Sequence, residues 1–209
     1  WNLILRAISP LILISIGAGL TIPFVNLFFN SIFNLSSSDF SLLGSFTALL
    51  VFIFSLLVPT LRKKYGYWAT IVLNQSLAIV FLIIMATTEL YAASSYAIII
   101  AISAYIVRQP LMHMAHPASN ELMMNYVGKK NQELISALSS SLWSASWFIS
   151  AKIFEWLRIL EFQYFEIFLI TAALYIMGVV LFGFLISQYE KNYRKSNQIL
   201  PIADELSID

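Results

Sequence analysis

An almost unbroken apolar run occupies residues 46–58, which read FTALLVFIFSLLV. The run lacks the alternation of polar and apolar side chains that the strands of a membrane β-barrel require. A segment of roughly 20 mainly apolar residues crosses about 30 Å of hydrocarbon as a helix. Because a helix pairs its own backbone N–H and C=O groups, which lipid cannot do, this run predicts a transmembrane helix.

The composition extends this interpretation to the whole chain. Of its 209 residues, 59% are hydrophobic and 11% are charged, whereas ordinary soluble domains have roughly 45–50% and about 25%. We therefore predict an all-α membrane protein. Residues 188–209 are more polar, and they are predicted to form a short cytosolic tail with little structure. Six segments are long and apolar enough to span a membrane, at residues 7–33, 40–61, 68–87, 91–117, 134–157 and 164–187.

The basic residues indicate the orientation of these spans. Cytoplasmic loops of membrane proteins carry an excess of lysine and arginine. Counting six spans places nine of the 12 basic residues on one side, so both termini are predicted to be cytoplasmic. The net charge of +1 gives no reason to expect a nucleic-acid partner. The nine residues are Arg6, Arg62, Lys63, Lys64, Lys129, Lys130, Lys191, Arg194 and Lys195.

Prolines divide the six spans into two triplets. The first span contains Pro10 and Pro23, and the fourth contains Pro110 and Pro117. In transporters built from repeats, interrupted helices at corresponding positions of the two repeats form the binding site. The pattern favours two three-helix repeats with a site between the first and fourth spans. The alternative, that these prolines only kink packed helices, stays open.

Arg108 lies within the fourth span. An arginine at the centre of a span costs about 2.5–3.5 kcal/mol on insertion scales, so we expect it to face protein or a water-filled cavity. It shares one helical face with Met112 and with small residues. It either binds an anionic or carbonyl group of a substrate, or takes part in ion or proton coupling, or is held by backbone carbonyls or a neighbouring helix. The small residues of this face are Ala97, Ala101, Ala104, Ala115 and Ser119.

Three further side chains are candidates for the same site. Asn26 lies on a polar stripe of the first span with Ser15, Gly19 and Asn30, and it either binds substrate or pairs with carbonyls freed by Pro23. Trp143 and Trp147 share a serine-rich face of the fifth span. They either line a cavity or pack against a neighbouring helix, and packing is the more frequent role.

His113 and His116 are spaced i, i+3 and form a weak candidate for a metal site or a proton relay. Glu121 would be a third ligand, but it lies well around the helix from both. Packing is the favoured interpretation of this pair. The chain has no cysteine, and no nucleophile–base pattern or phosphate loop is present. We therefore predict no catalytic residues, no resident metal and no cofactor.

Three segments resemble the C-terminal half of a major facilitator superfamily transporter. Residues 17–29, GAGLTIPFVNLFF, are similar to the seventh helix of a bacterial subgroup. Residues 108–117, RQPLMHMAHP, followed by Met123 and Met124, are similar to its tenth helix. Residues 59–68, PTLRKKYGYW, resemble a degenerate basic loop between the second and third helices of a half. Lys63 replaces the family's Asp, and Asn125 replaces a Glu common in the subgroup, so we expect no cytosolic charge network.

The resemblance implies a six-helix half-bundle that moves a small solute by alternating access, with a proton as the family's usual coupling ion. It implies a bacterial inner membrane and a complementary half in the same polypeptide, a partner subunit or a second copy. It implies that the first and fourth helices line the cavity, and together with the residue patterns above this makes Arg108, Asn26, Trp143, Trp147 and Met112 candidates for substrate binding or coupling. It assigns Arg62, Lys63, Lys64 and Gly66 to a conformational loop. Two alternatives stay open: a non-transporting scaffold subunit, and an intramembrane metal enzyme using His113 and His116.

Overall fold

The computed structural model describes the backbone of residues 1–205 and the side chains of residues 1–192, and this part of the chain contains helices and no strands. The predicted all-helical architecture is confirmed. Short 3-10 turns cover Ile22–Phe24, Thr88–Tyr91 and Lys129–Asn131, and a π-helical turn covers Trp68–Leu73. The α-helices are α1 (Asn2–Thr21), α2 (Val25–Phe33), α3 (Ser37–Ser55), α4 (Val58–Tyr67), α5 (Asn74–Thr87), α6 (Ala97–Val127), α7 (Gln132–Ile159) and α8 (Tyr164–Glu205).

Several predicted boundaries differ from the observed ones. The fourth helix was predicted at residues 91–117, but α6 begins at Ala97 and continues to Val127 with both prolines inside it. Proline removes one N–H from a helix but does not end it where tertiary packing holds the backbone. Helix α8 continues to Glu205 instead of ending at residue 187, so residues 188–205 are helical rather than a tail with little structure. Residues 206–209 lie outside the described residues.

Backbone with positive φ marks four of the chain reversals. Asn34, Gly66, Gly128 and Glu161 have φ of 54°, 74°, 76° and 65°. A residue in this left-handed region commonly terminates a helix, and glycine adopts it without strain. Gly66 interrupts the helical backbone near the end of α4. The break between the predicted second and third spans therefore falls inside the predicted loop 62–67.

One end of the bundle gathers the end of α4, the C-terminal part of α6 and the later part of α8. Asn125 donates a hydrogen bond to the Tyr67 hydroxyl at 3.1 Å, and the Tyr126 hydroxyl donates to Oε1 of Gln188 at 2.8 Å. The Gln132 side chain donates to the carbonyl oxygen of Met124 at 3.5 Å, so α7 begins at this end as well.

The other end gathers the ends of α2 and α7 around the start of α8. The Ser31 and Tyr164 hydroxyls are 3.3 Å apart, and the ring centroids of Phe154 and Tyr164 are 6.3 Å apart. The Glu89 carboxylate accepts a hydrogen bond from the backbone N–H of Phe165. Tyr164 and Gln188 are 24 residues apart on α8, or roughly 36 Å at 1.5 Å per residue. Helix α7 therefore runs from one end of the bundle to the other, like α6 and α8.

The predicted spans form two groups of three: first α1–α2, α3 and α4–α5, and then α6, α7 and α8. The principal packing pairs are the same when each span of one group is exchanged with the span at the same position in the other. Helix α1 packs on α7 and α8, and α6 packs on α3 and α5. The remaining large contact, between α5 and α8, joins the third helix of each group. These pairings are those expected of two three-helix units related by an approximate two-fold axis.

Five helical stretches of the described residues are long and apolar enough to cross a membrane. Helix α7 is not among them, because seven serines lower its hydropathy. Helix α3 is almost wholly exposed, with only Thr47 buried, and large apolar side chains cover its surface. The five stretches are Asn2–Phe33, Ser37–Ser55, Val58–Tyr91, Ala97–Val127 and Tyr164–Asn192.

Candidate functional site

A cavity of about 410 Å³ lies among α1, α6 and α8, with contributions from α3, α5 and α7. Its volume falls within the range of roughly 300–1,000 Å³ that is usual for small-molecule sites. The walls are mainly apolar, and Leu11, Ile14, Trp143 and Phe182 contribute to them. The polar side chains that reach it include those of Gln75, Arg108, Gln109, His113, His116 and Asn120.

Arg108 is the central polar residue of this cavity. Its side chain is buried, with 1% exposure, on the α6 face that the sequence predicted to point inward. One terminal nitrogen lies 3.4 Å from the Tyr175 hydroxyl, the other lies 3.4 Å from Oε1 of Gln109, and Nε has no partner. No carboxylate among residues 1–192 forms an ion pair with it. Within the described side chains, the guanidinium is therefore buried without an anionic partner.

This arrangement is energetically unfavourable for the protein alone. A buried charge needs a counter-charge and good hydrogen bonds to offset its lost hydration. Hydrogen bonds of 3.4 Å are long and weak, so the two that Arg108 makes offset little of that cost. An anion in the cavity would supply the missing partner. The two hydrogen bonds of Arg108 go to side chains and not to backbone carbonyls. One of them reaches Tyr175 on the neighbouring helix α8, so the alternative of an arginine held by a neighbouring helix stays open.

Tyr175 and Gln109 are site residues that the sequence analysis missed. The Tyr175 ring, 1% exposed, fills the space beside Gly17, where a Cβ atom would lie 2.8 Å from the ring. Helix α1 thus fixes the tyrosine that contacts Arg108. A lone phenol in the middle of the apolar span at residues 164–187 was a usable signal, because a buried hydroxyl requires a hydrogen-bonding partner.

The polar stripe of α1 is mainly a helix-packing surface. The hydroxyls of Ser15 and Ser146 are 2.8 Å apart, and Ser150 donates to the carbonyl oxygen of Ile16 at 2.8 Å. Gly19 lies against Ser150. Small residues that let two helices approach closely are typical of membrane bundles. This stripe holds α7 against α1.

Asn26 and Trp147 do not line the cavity. Asn26 follows the 3-10 turn at Pro23, and its Oδ1 is buried without a partner. Trp147 is 37% exposed, with its ring centroid 6.4 Å from that of Trp143. Trp143 and Met112 do line the cavity. The cavity therefore brings together three of the five predicted substrate residues: Arg108, Met112 and Trp143.

The two histidines lie at the exposed mouth of the cavity. The His116 ring packs edge-on against Trp143 at 5.6 Å, and its Nδ1 lies 3.4 Å from the Asn120 amide nitrogen. Within residues 1–192, no group of three or more His, Asp or Glu side chains is placed to hold a metal ion. Glu121, considered above as a third ligand, pairs with Arg62 instead.

That ion pair belongs to a small polar network at the end of α4. Arg62 donates to the Tyr67 hydroxyl at 2.6 Å, and Asn125 donates to the same hydroxyl at 3.1 Å. The sequence analysis did not anticipate this ion pair, in which Glu121, one helical turn before Asn125, supplies the carboxylate. Of the predicted conformational loop, Arg62 joins this network, Lys63 and Lys64 are exposed, and Gly66 supplies the left-handed break.

The long apolar helices and the apolar surface define the class of the molecule: a multi-pass helical membrane protein. The chain matches no family model, no curated protein and no solved structure. The resemblance to the major facilitator superfamily therefore stays a prediction from the sequence, and the function rests on the site.

Proposed function

We propose that this chain is one half of a secondary transporter that moves a small solute across a membrane by alternating access. The observation that carries the proposal is Arg108, a buried guanidinium that has no acidic partner among residues 1–192 and lies beside a cavity of about 410 Å³. Ionisable residues inside membrane helices are costly and commonly mark the path of a substrate or ion. The cavity is also bounded by α1 and α6, the first helix of each triplet, as a repeat-built transporter requires.

The cavity favours transport over the scaffold alternative. A bundle that serves only as a scaffold gains stability by filling its interior with side chains, since unfilled volume forfeits packing energy. This interior instead keeps a space that several polar side chains line, Arg108 and Gln75 among them. His113 and His116, titratable groups at its mouth, are candidates for coupling transport to a proton.

The proposal includes six membrane crossings, with α7 as the fifth. Its serines reduce its hydropathy, but several of them are paired. Ser139 and Ser140 donate to carbonyl oxygens one turn earlier, and Ser146 and Ser150 pair with α1. Paired hydroxyls cost far less in lipid than free ones. With six crossings, both termini lie on the cytoplasmic side under the positive-inside rule.

A complementary six-helix bundle is the partner that this arrangement implies. The mouth of the cavity is open at His113, His116 and Pro117. Helix α7 exposes Trp147 and Phe148 beyond its α1-facing stripe. We propose that a second half, from the same polypeptide, a partner subunit or a second copy, covers the mouth in a bacterial plasma membrane.

Single-cysteine labelling tests alternating access without knowledge of the solute, because the chain has no native cysteine. Met112→Cys, in the cavity, should react with a membrane-impermeant maleimide in vesicles of either orientation. Val107→Cys on the same helix, at a site 40% exposed on the apolar surface and far from both helix ends, should react in neither. A thiol surrounded by acyl chains stays protonated and unreactive. Labelling of Met112→Cys in only one orientation under all conditions would contradict alternating access.

A further inference from the structure

We infer that the cavity binds a monoanion with an apolar body, of which an aromatic or aliphatic monocarboxylate is the simplest form. The negative head would lie on Arg108, and the body would lie against the wall that includes Leu11, Trp143 and Phe182. This inference rests on the proposed transport function for its biological meaning, but it specifies the chemical class of the ligand and can fail independently.

The sign of the ligand follows from the charges in the cavity. Of the described side chains that line it, Arg108 is the only lysine, arginine, aspartate or glutamate. A cationic ligand would meet a fixed positive charge with no carboxylate to offset it. A carboxylate would form charge-assisted hydrogen bonds with the guanidinium, whose planar fork matches its two oxygens.

The magnitude of the ligand charge follows from the same count. When His113 and His116, which also line the cavity, are neutral, the single guanidinium neutralises one negative charge. A second negative charge, as on a phosphate monoester, would remain uncompensated in a site where low dielectric makes isolated charges costly. A monoanion is therefore favoured over a dianion.

The head-group contacts are available on two further helices. The Tyr175 hydroxyl on α8 is already within 3.4 Å of the guanidinium. Gln75 on α5 is 3% exposed, lines the cavity, and has an amide oxygen with no partner. The amide of a glutamine can be turned to present its NH₂ group, which would donate to a carboxylate. An anion on Arg108 would thus give hydrogen-bonding partners to two groups that lack them, Nε of Arg108 and the side-chain amide of Gln75.

The rest of the cavity sets the requirement for an apolar body. Its walls include Ile14, Ile22 and Val51 in addition to the aromatic side chains. A small inorganic anion would leave this apolar surface in contact with water, whereas a hydrocarbon body would cover it. Two sources share the required chemistry: a soluble organic acid, and an anionic membrane lipid with a single negative charge on its head group.

Binding of matched probe ligands tests the inference. The full chain in phosphatidylcholine nanodiscs would be titrated with 2-naphthoate, with the nearly isosteric neutral 2-naphthamide, and with 2-naphthylmethylammonium. We expect the carboxylate to bind about 10- to 100-fold more tightly than the amide, from the strength of a charge-assisted pair. The ammonium compound should bind most weakly of the three. Equal affinities for the carboxylate and the amide in the unaltered protein would overturn the inference, whatever any variant does.

Two variants test whether Arg108 is the residue responsible for the preference for the carboxylate. Arg108→Gln should abolish the preference for the carboxylate, and Arg108→Lys, which keeps a positive charge, should retain part of it. The matched control is Lys152→Gln, which removes a cation from an exposed pair with Glu155 on α7 and should leave the preference unchanged. A preference that survives in Arg108→Gln would show that the anion binds elsewhere, and this would overturn the inference.

A lipid titration separates the two sources. Replacing part of the phosphatidylcholine by phosphatidylglycerol should weaken naphthoate binding if the lipid head group occupies the site, and should leave it unchanged if the ligand is a soluble acid. Both results support an anion site on Arg108. Carboxylate binding without any transport would sink only the proposed function, and transport without a carboxylate preference would sink only the ligand class.

Discussion

Replacing Gly19 by alanine should lower the free energy of unfolding by about 1–3 kcal/mol, the usual cost of overpacking a tight interior. A Cβ atom at position 19 would lie 2.6 Å from the Cβ atom of Ser150 and 3.2 Å from the backbone oxygen of Ser146. Neither atom is the flexible end of a long side chain, so α1 and α7 would have to move apart. That movement would also disturb the hydrogen bond between Ser15 and Ser146. Unfolding of the purified protein in mixed micelles by sodium dodecyl sulfate would measure the loss.

Gly44→Ala is the matched control for this prediction. Gly44 also lies inside a helix, α3, but a Cβ atom there would meet no other atom within 4 Å. Removing a glycine from a helix interior should leave stability unchanged or raise it by about 0.5–1 kcal/mol. Adding Ser150→Gly to Gly19→Ala should recover part of the lost stability, because it removes the nearest clash. Equal effects of Gly19→Ala and Gly44→Ala would show that α1 and α7 are not closely packed.

Arg108→Gln should raise the stability of the ligand-free protein by about 1–3 kcal/mol while removing solute transport. An arginine at the centre of a span costs about 2.5–3.5 kcal/mol to insert. Its lost hydrogen bonding reduces the gain from the substitution by about 0.5–1.5 kcal/mol. The same detergent titration would measure stability, and uptake into membrane vesicles would measure function. Opposite changes in stability and activity are typical of a residue kept for function at the expense of folding.

Arg62→Gln is the same substitution at an arginine that has an acidic partner, and it should lower the stability of the protein instead of raising it. Arg62 pairs with Glu121 and donates to the Tyr67 hydroxyl. Because this pair is partly exposed, the expected loss is up to about 1 kcal/mol. If Arg108→Gln instead destabilises the protein as a broken structural pair would, Arg108 is a structural residue, and the proposed function loses its main support.

Much of the fold could be predicted from the sequence because lipid leaves few solutions for a chain of this hydropathy. The inward face of α6 was also predictable, since Arg108 and the small residues Ala101, Ala104 and Ala115 recur at helical spacing. The exact ends of α6 were not, because Pro117 is a helix-breaking signal only where packing does not hold the backbone. Where that packing exists is not visible in local sequence.

The candidate site was only partly predictable for a related reason. Periodicity places Asn26, Trp143 and Trp147 on faces of their helices, but it does not say which neighbouring helix each face meets. The serines of α7 meet Ser15 and Gly19 of α1, which leaves Trp147 outside the cavity. Tyr175 and Gln75 reach the cavity from α8 and α5, whose apolar sequences offered no polar stripe to follow.

The orientation and the two-triplet architecture both depend on six membrane crossings. Whether the chain has six depends on whether α7 crosses the membrane. Lys130→Cys and Glu161→Cys would place single thiols just beyond the two ends of this helix, at exposed positions. Labelling with an impermeant maleimide in sealed vesicles should modify one of them from outside and the other only after the membrane is permeabilised. Modification of both from the same side would show that α7 does not cross the membrane and would contradict the six-span account.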